Sequence, residues 1–186
     1  MAVDSFTGKL AVVTGGGSGI GRELVRQLAA QGCSVAACDL NPDCVAVTAA
    51  TAWAAATPGV RVTGHVCDVS DEAQVQRFRD ELLEQHASDH VDLVFANAGI
   101  FAGASFVKDS RQEWERTFAI NWQGVYFCAR TFLPLLIADG HGVLVNTSSV
   151  AGFWPTAGAG APPRCRLNAR SAGLARKPPT RPGHPA

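Results

Sequence analysis

At 186 residues and 47% apolar content the chain can bury one compact core, and its six cysteines lack Cys-x-x-Cys spacing, which argues against a disulfide framework or a zinc site. Sixteen basic and sixteen acidic residues cancel to a formal net charge of zero, yet every acidic residue precedes position 157 while six of the basic ones follow it. Asp4 stands where a leader would begin, and the Ala-rich stretch 45–56 is too short and too amphipathic to span a bilayer. Neither export nor membrane insertion is expected, and free thiols fit a reducing cytoplasm.

The first apolar run, residues 10–13, leads straight into Thr14, Gly15, Gly16, Gly17, Ser18, Gly19, Ile20 and Gly21. Glycines at 15, 19 and 21 allow a sharp bend off a strand and expose amide groups at a helix N-terminus, where the dipole favours a pyrophosphate. Such a run is otherwise simply a turn. Ile20, Leu24 and Leu28 share one face of the helix that follows. Further apolar runs at 34–38, 60–66, 91–96 and 143–146 alternate with helical patterns, among them Val75, Phe78 and Leu82 after the cap-like Ser70, Asp71, Glu72. This alternation predicts an α/β fold with a parallel sheet and helices on both faces.

Ligands of such sheets sit outside the carboxyl ends of the strands. Those ends hold the glycine turn, Asp39, Asp68, Asn97-Ala98-Gly99 and Ser148-Ser149. Asp39 lies 18 residues after Gly21, where a carboxylate accepts hydrogen bonds from an adenosine ribose and repels a 2′-phosphate, which favours NAD over NADP. With Asn41-Pro42-Asp43 following, the same aspartate also suits a helix cap. Asn-Ala-Gly is likewise a good strand exit in its own right.

Taken together, the glycine run at 14–21, Asp68-Val69, Asn97-Ala98-Gly99, Asn121 and Asn146-Thr147-Ser148-Ser149 resemble the short-chain dehydrogenase/reductase family over residues 6 to about 161. The resemblance implies a Rossmann-type doubly wound sheet of five parallel strands in the order 3-2-1-4-5. It implies that Gly15, Ser18, Ile20 and Asp39, with Gly19 and Gly21 in the turn, hold adenosine and pyrophosphate. Asp68 and Val69 would flank the adenine, and Asn97, Ala98 and Gly99 would support the central strand beside the cofactor. The implied chemistry is hydride transfer between a nicotinamide and a small-molecule alcohol or ketone. Ser149 would bond the substrate oxygen and Asn121 would anchor a proton-relaying water; the plainer alternatives are that Ser149 satisfies backbone groups and that Asn121 caps a local bend.

The resemblance also implies a Tyr 13 residues beyond that serine and a Lys four further on, and these positions hold Pro162 and Arg166. Proline has no titratable proton and arginine stays charged, so the general acid is missing. Tyr126 is the chain's one tyrosine and is expected to point away from Asn121. His141 belongs to the far end of the fifth strand, His65 lies inside the third, and His86 and His90 read as surface residues.

Residues 157–186 carry six of the ten prolines, six basic residues and no acid or aromatic. The expected division is therefore a nucleotide-binding domain over 1–156 and a disordered basic Pro/Arg-rich tail over 157–186, with the fold cut short at its C-terminus. The tail lacks aromatics to stack on bases, so no nucleic-acid partner is expected. The family's homo-oligomer rests partly on a helix without counterpart here, and the fifth strand is expected to form a bare sheet edge. Phe101, Phe106, Phe153 and Trp154 suit an apolar substrate pocket, a core or a lid alike. Two readings stand open, an NAD-dependent oxidoreductase with impaired catalysis and a non-enzymatic NAD-binding or interaction protein.

Overall fold

The computed structural model describes residues 5–101, 109–140, 142–149 and 173–174. Five parallel strands form its centre: β1 (Leu10–Thr14), β2 (Ser34–Asp39), β3 (Val62–Val66), β4 (Leu93–Ala96) and β5 (Val143–Asn146). β1 pairs with β2 from Leu10↔Ser34 to Thr14↔Cys38 and with β4 from Ala11↔Leu93 to Val13↔Phe95. β3 lies outside β2 and β5 outside β4, so these five strands stand in the order 3-2-1-4-5 that the family resemblance implies. Every residue of β1 is buried, as a central strand covered on both faces requires.

Helices α1 (Gly19–Ala30) and α2 (Pro42–Ala54) cover one face, where Ala11, Val13 and Val35 meet Val25, Leu28 and Val45. α3 (Glu72–His86) and α5 (Gly124–Asp139) cover the other, where Val12 and Val94 meet Phe78, Leu82, Phe132 and Leu136. The rings of Phe78 and Phe132 pack edge to face at 5.9 Å. No helix among the described residues is long and apolar enough to cross a membrane.

Several details differ from the sequence pattern. Strands β3 and β4 start two residues later than the apolar runs, because Val60 N–H closes a turn onto the Thr57 carbonyl and Asp92 carries the chain into β4 with bonds of its own. Ile20 is 73% exposed, so the face of α1 that packs is Gly21, Val25, Leu28 and Ala29, with Ile20 lifted beyond the sheet at the rim. The segment that carries Asn121 is helical but changes register: α4 (Arg111–Phe118) passes through one π turn, Ala119–Gln123, before α5 begins. Gly173–Leu174, inside the basic segment, forms a short β6 antiparallel to β5, so the expected bare edge carries a two-residue partner. His86 is half-buried rather than a surface residue, with Nε2 2.9 Å from Thr63 Oγ1. His141, Phe106, Phe153, Trp154, Pro162 and Arg166 lie outside the described residues.

Candidate functional site

A cleft of about 750 Å³ opens at the carboxyl ends of the strands. Gly15, Ser18, Gly19, Ile20 and Gly21 line it from the first turn and Asp39 from the end of β2. Asp68 and Val69 follow β3, and Asn97, Ala98 and Gly99 follow β4. All the residues proposed from sequence as cofactor contacts therefore share one cavity.

The first turn is built for close approach. A Cβ on Gly21 would stand 2.0 Å from the Gly15 carbonyl oxygen and 2.7 Å from Asn97 Nδ2, so only glycine lets α1 leave the strand here. Ser18 makes no side-chain cap on α1, and no acidic residue occupies its first turn. The other helices that begin from loops are capped: Asn41 accepts from Cys44 N–H, Asp71 from Ala73 and Gln74, and Ser110 closes a full capping box with Glu113. The amide groups opening α1 thus face the cleft with no side-chain acceptor, the arrangement that suits an anionic group.

Polar side chains lock the neighbouring strand ends. Asn97 Nδ2 donates to the Thr14 carbonyl at 3.0 Å, and its backbone N–H and that of Ala98 both donate to Thr14 Oγ1 at 3.0 Å. Thr147 Oγ1 donates to Asn97 Oδ1 at 3.2 Å, which ties β1, β4 and β5 together beneath the cleft. Asp68 Oδ1 accepts from the Ser70 backbone at 2.9 Å and hydroxyl at 2.6 Å. Asp39 Oδ2 accepts from Gly17 N–H at 2.9 Å and Oδ1 from Asn41 N–H at 3.0 Å. No Lys or Arg among the described residues pairs with Asp39.

The two residues proposed for catalysis do not themselves line the cleft, although Ile100 and Ile120 beside Asn121 do. Asn121, 1% exposed at the π turn, grips the backbone of Ile100: Nδ2 donates to its carbonyl at 2.8 Å and Oδ1 accepts its N–H at 2.9 Å. Ser149 is partly exposed three residues past β5. Tyr126 faces outward, 47% exposed, stacked on Trp122 and accepting from Arg130 Nη1. Burial pushes the thiols of Cys33 and Cys128 up to about 12, which leaves them protonated and poor nucleophiles. Among the described residues no group of His, Cys, Asp and Glu side chains could hold a metal ion.

The lining also includes residues that sequence reasoning passed over. Leu40, Asn41 and Pro42 directly follow Asp39, and Thr147 sits within the motif from which Ser149 alone was chosen. Arg116 and Ile120 reach the cleft from α4 and the π turn at a spacing of four, a signal that becomes legible once Asn121 is placed at the rim.

Comparison with known proteins agrees with this geometry. A family model described as short chain dehydrogenase matches residues 9–161. Meso-2,3-butanediol dehydrogenase of Serratia marcescens is 32% identical over 148 residues, covering 80% of this chain and 56% of its own. A short chain dehydrogenase/reductase from Burkholderia phymatum, solved in complex with NAD, aligns with a TM-score of 0.77 at 37% identity, covering 84% of this chain and 54% of that one. A metagenomic short-chain oxidoreductase in complex with NADP aligns with a TM-score of 0.75 at 30% identity, covering 84% and 69%. The chain spans about half the length of the curated relatives it matches. Neighbours solved with NAD and with NADP support a nicotinamide cofactor for this fold. By the extent of these matches the chain belongs to the short chain dehydrogenase family, whose members are oxidoreductases acting on small molecules.

Proposed function

We propose that the chain binds NAD, in preference to NADP, across the cleft at the carboxyl ends of its strands, and that its chemistry is the exchange of a hydride between an alcohol and a ketone. The observation that carries this reading is the setting of Asp39. Two backbone amides fix its carboxylate at the cleft without a cation among the described residues, so the charge and the remaining lone pairs suit a ribose diol and oppose a 2′-phosphate. The uncapped start of α1 suits the pyrophosphate, and Asp68 with Val69 would bracket the adenine.

A bound nicotinamide supplies a ring carbon that takes up or releases hydride. This chain's part is to bind, orient and handle the proton, with Ser149 proposed to hold the substrate oxygen and Asn121 to keep Ile100 and the rim in place. Pro162 and Arg166 offer no general acid at the positions where the family resemblance implies Tyr and Lys. Such assistance is worth ~10²–10⁴ in rate, so turnover by this chain is proposed to be impaired. Those same two residues favour a second reading, an NAD-binding protein that works through its nucleotide site or by interaction alone. Substrate, where there is one, is a small alcohol or ketone. The free thiols of Cys33, Cys38, Cys44, Cys67 and Cys128 suit a reducing compartment such as the cytoplasm.

Titrating the protein with NADH and NADPH by fluorescence and calorimetry tests the binding half. Saturable binding that is tighter for NADH is expected, whereas no heat from folded protein, or tighter NADPH, would overturn the reading. Incubation with NAD and a panel of secondary alcohols separates the two functional readings: slow NADH formation supports an impaired enzyme, and its complete absence supports the binding protein.

A further inference from the structure

Behind Asp39 stands a second tier of contacts that the binding reading does not use. Gly17 is where the carboxylate is seated: a Cβ there would lie 2.7 Å from Asp39 Cγ and 2.8 Å from Oδ2, so the missing side chain is what lets Asp39 reach the Gly17 N–H. The carbonyl of the same residue is held from the other side. Arg22 on α1 donates to Gly17 O through Nε at 3.1 Å and through Nη2 as well. Its Nε also reaches Thr48 Oγ1 at 3.1 Å, and that hydroxyl lies 2.9 Å from the Cys44 carbonyl and 3.5 Å from Gly17 O. Thr48 is 1% exposed on the buried face of α2, so this junction is dry on one side.

A carbonyl gripped by a guanidinium has little freedom to rotate its peptide. The pinned carbonyl belongs to the peptide that follows residue 17, and it anchors the Gly17 Cα on which the preceding peptide hangs; the N–H of that preceding peptide is one of two donors among the described residues that aim the Asp39 carboxylate. Arg22 and Thr48 therefore act on Asp39 through a single glycine, from two different helices. We infer that Arg22 and Thr48 are positioning residues for cofactor choice, holding Gly17 so that Asp39 discriminates a ribose 2′-hydroxyl from a 2′-phosphate. The inference rests on the reading of Asp39 as the ribose ligand. It adds to that reading that selectivity is set from α2 and from Arg22, neither of which belongs to the glycine run or the strand end.

Dissociation constants for NADH and NADPH, measured on the full chain and on Thr48→Val, Thr48→Ser, Arg22→Gln and Arg22→Lys, test it. In Thr48→Val and Arg22→Gln the preference for NADH should fall about three- to tenfold, the worth of one hydrogen bond, while Thr48→Ser keeps the hydroxyl and should retain the wild-type ratio. Arg22→Lys, which keeps the charge without the fork, should fall between. If wild type prefers NADH and the ratio is unchanged in Thr48→Val and Arg22→Gln, the clamp is merely structural and the inference fails, whatever happens to melting temperature. If Arg22→Gln weakens NADPH more than NADH, Arg22 is a phosphate ligand and the inference is again overturned. A wild type without preference removes the reading of Asp39 itself and the inference with it. Arg22 sits on an exposed stretch of α1, so its variants remain readable even where a Thr48 variant does not fold.

Discussion

Two aspartates at opposite ends of the same sheet show how differently one side chain can be used. Asp92, at the amino end of β4, accepts from Lys9 Nζ at 3.0 Å and from the Leu10 N–H at 2.8 Å, so a cation and an amide answer its charge. Asp39, at the carboxyl end of β2, is met by two amides, and no cation among the described residues neutralises it. Helix starts divide in the same way. Those of α2, α3 and α4 are closed by their own caps, whereas the start of α1 is left open toward the cleft. Local compensation marks the groups that hold the sheet together, and its absence, at the Asp39 charge and at the start of α1, marks the groups open to a ligand.

The open start of α1 depends most heavily on Gly21. In Gly21→Ala the new methyl group would collide with the Gly15 carbonyl, 2.0 Å away, a backbone atom that cannot swing aside. α1 must shift off β1, and overpacking of this kind costs about 1–3 kcal/mol. Since the turn is also the pyrophosphate cradle, NADH binding should be lost from calorimetry along with that stability. A wild-type isotherm from Gly21→Ala would show that the turn's geometry is not what binds.

A paired substitution sharpens the contrast between the two ends. Asp92→Asn turns one acceptor into a donor facing Lys9 or Leu10 N–H, and loss of a charge-assisted bond costs about 1.5–3 kcal/mol. Urea unfolding should register this while NADH affinity stays unchanged. Asp39→Asn is expected to do the reverse, with a smaller loss of stability and a preference for NADH over NADPH reduced about tenfold, the equivalent of ~1.4 kcal/mol. If both variants lost stability and neither altered the cofactor ratio, the division between a stabilising end and a binding end would be void.

Much of this division is legible in the amino-acid sequence because its signals are local. A glycine run that follows an apolar strand, and polar residues closing four more apolar runs, need only neighbours in the chain to be read. The π turn is different. Trp114, Phe118, Trp122 and Tyr126 keep a spacing of four and stack in series at 5.1–6.1 Å, so the periodicity hides the extra residue that buries Asn121. Arg22 gives no signal either, because its importance lies in Thr48, 26 residues away on another helix. The pairing of Gly173–Leu174 with β5 is equally remote from anything periodicity reports.

His86 is the mildest case of an environment that composition conceals, and it offers the smallest effect. It closes α3, a place that reads as solvated, yet Arg61 from the chain just before β3 donates to the neighbouring Gln85 carbonyl. Its ring meets Thr63, whose hydroxyl also meets His65, itself held by Glu81 at 3.0 Å. Burial first, then the nearby Arg61 and His65, hold the His86 pKa down at about 4 against an ordinary 6.5. The unfolded chain therefore takes up a proton as pH falls through 6.5, whereas the folded chain refuses it until about 4. This contribution to stability is complete above pH 6.5 and is lost progressively on acidification toward 4. Melting temperature followed across that window should decline in the wild type and decline less steeply in His86→Gln, with no matching change in NADH affinity at neutral pH. Equal slopes for the two proteins would mean that His86 is solvated after all and that the β3–α3 edge carries no proton-linked stability through it.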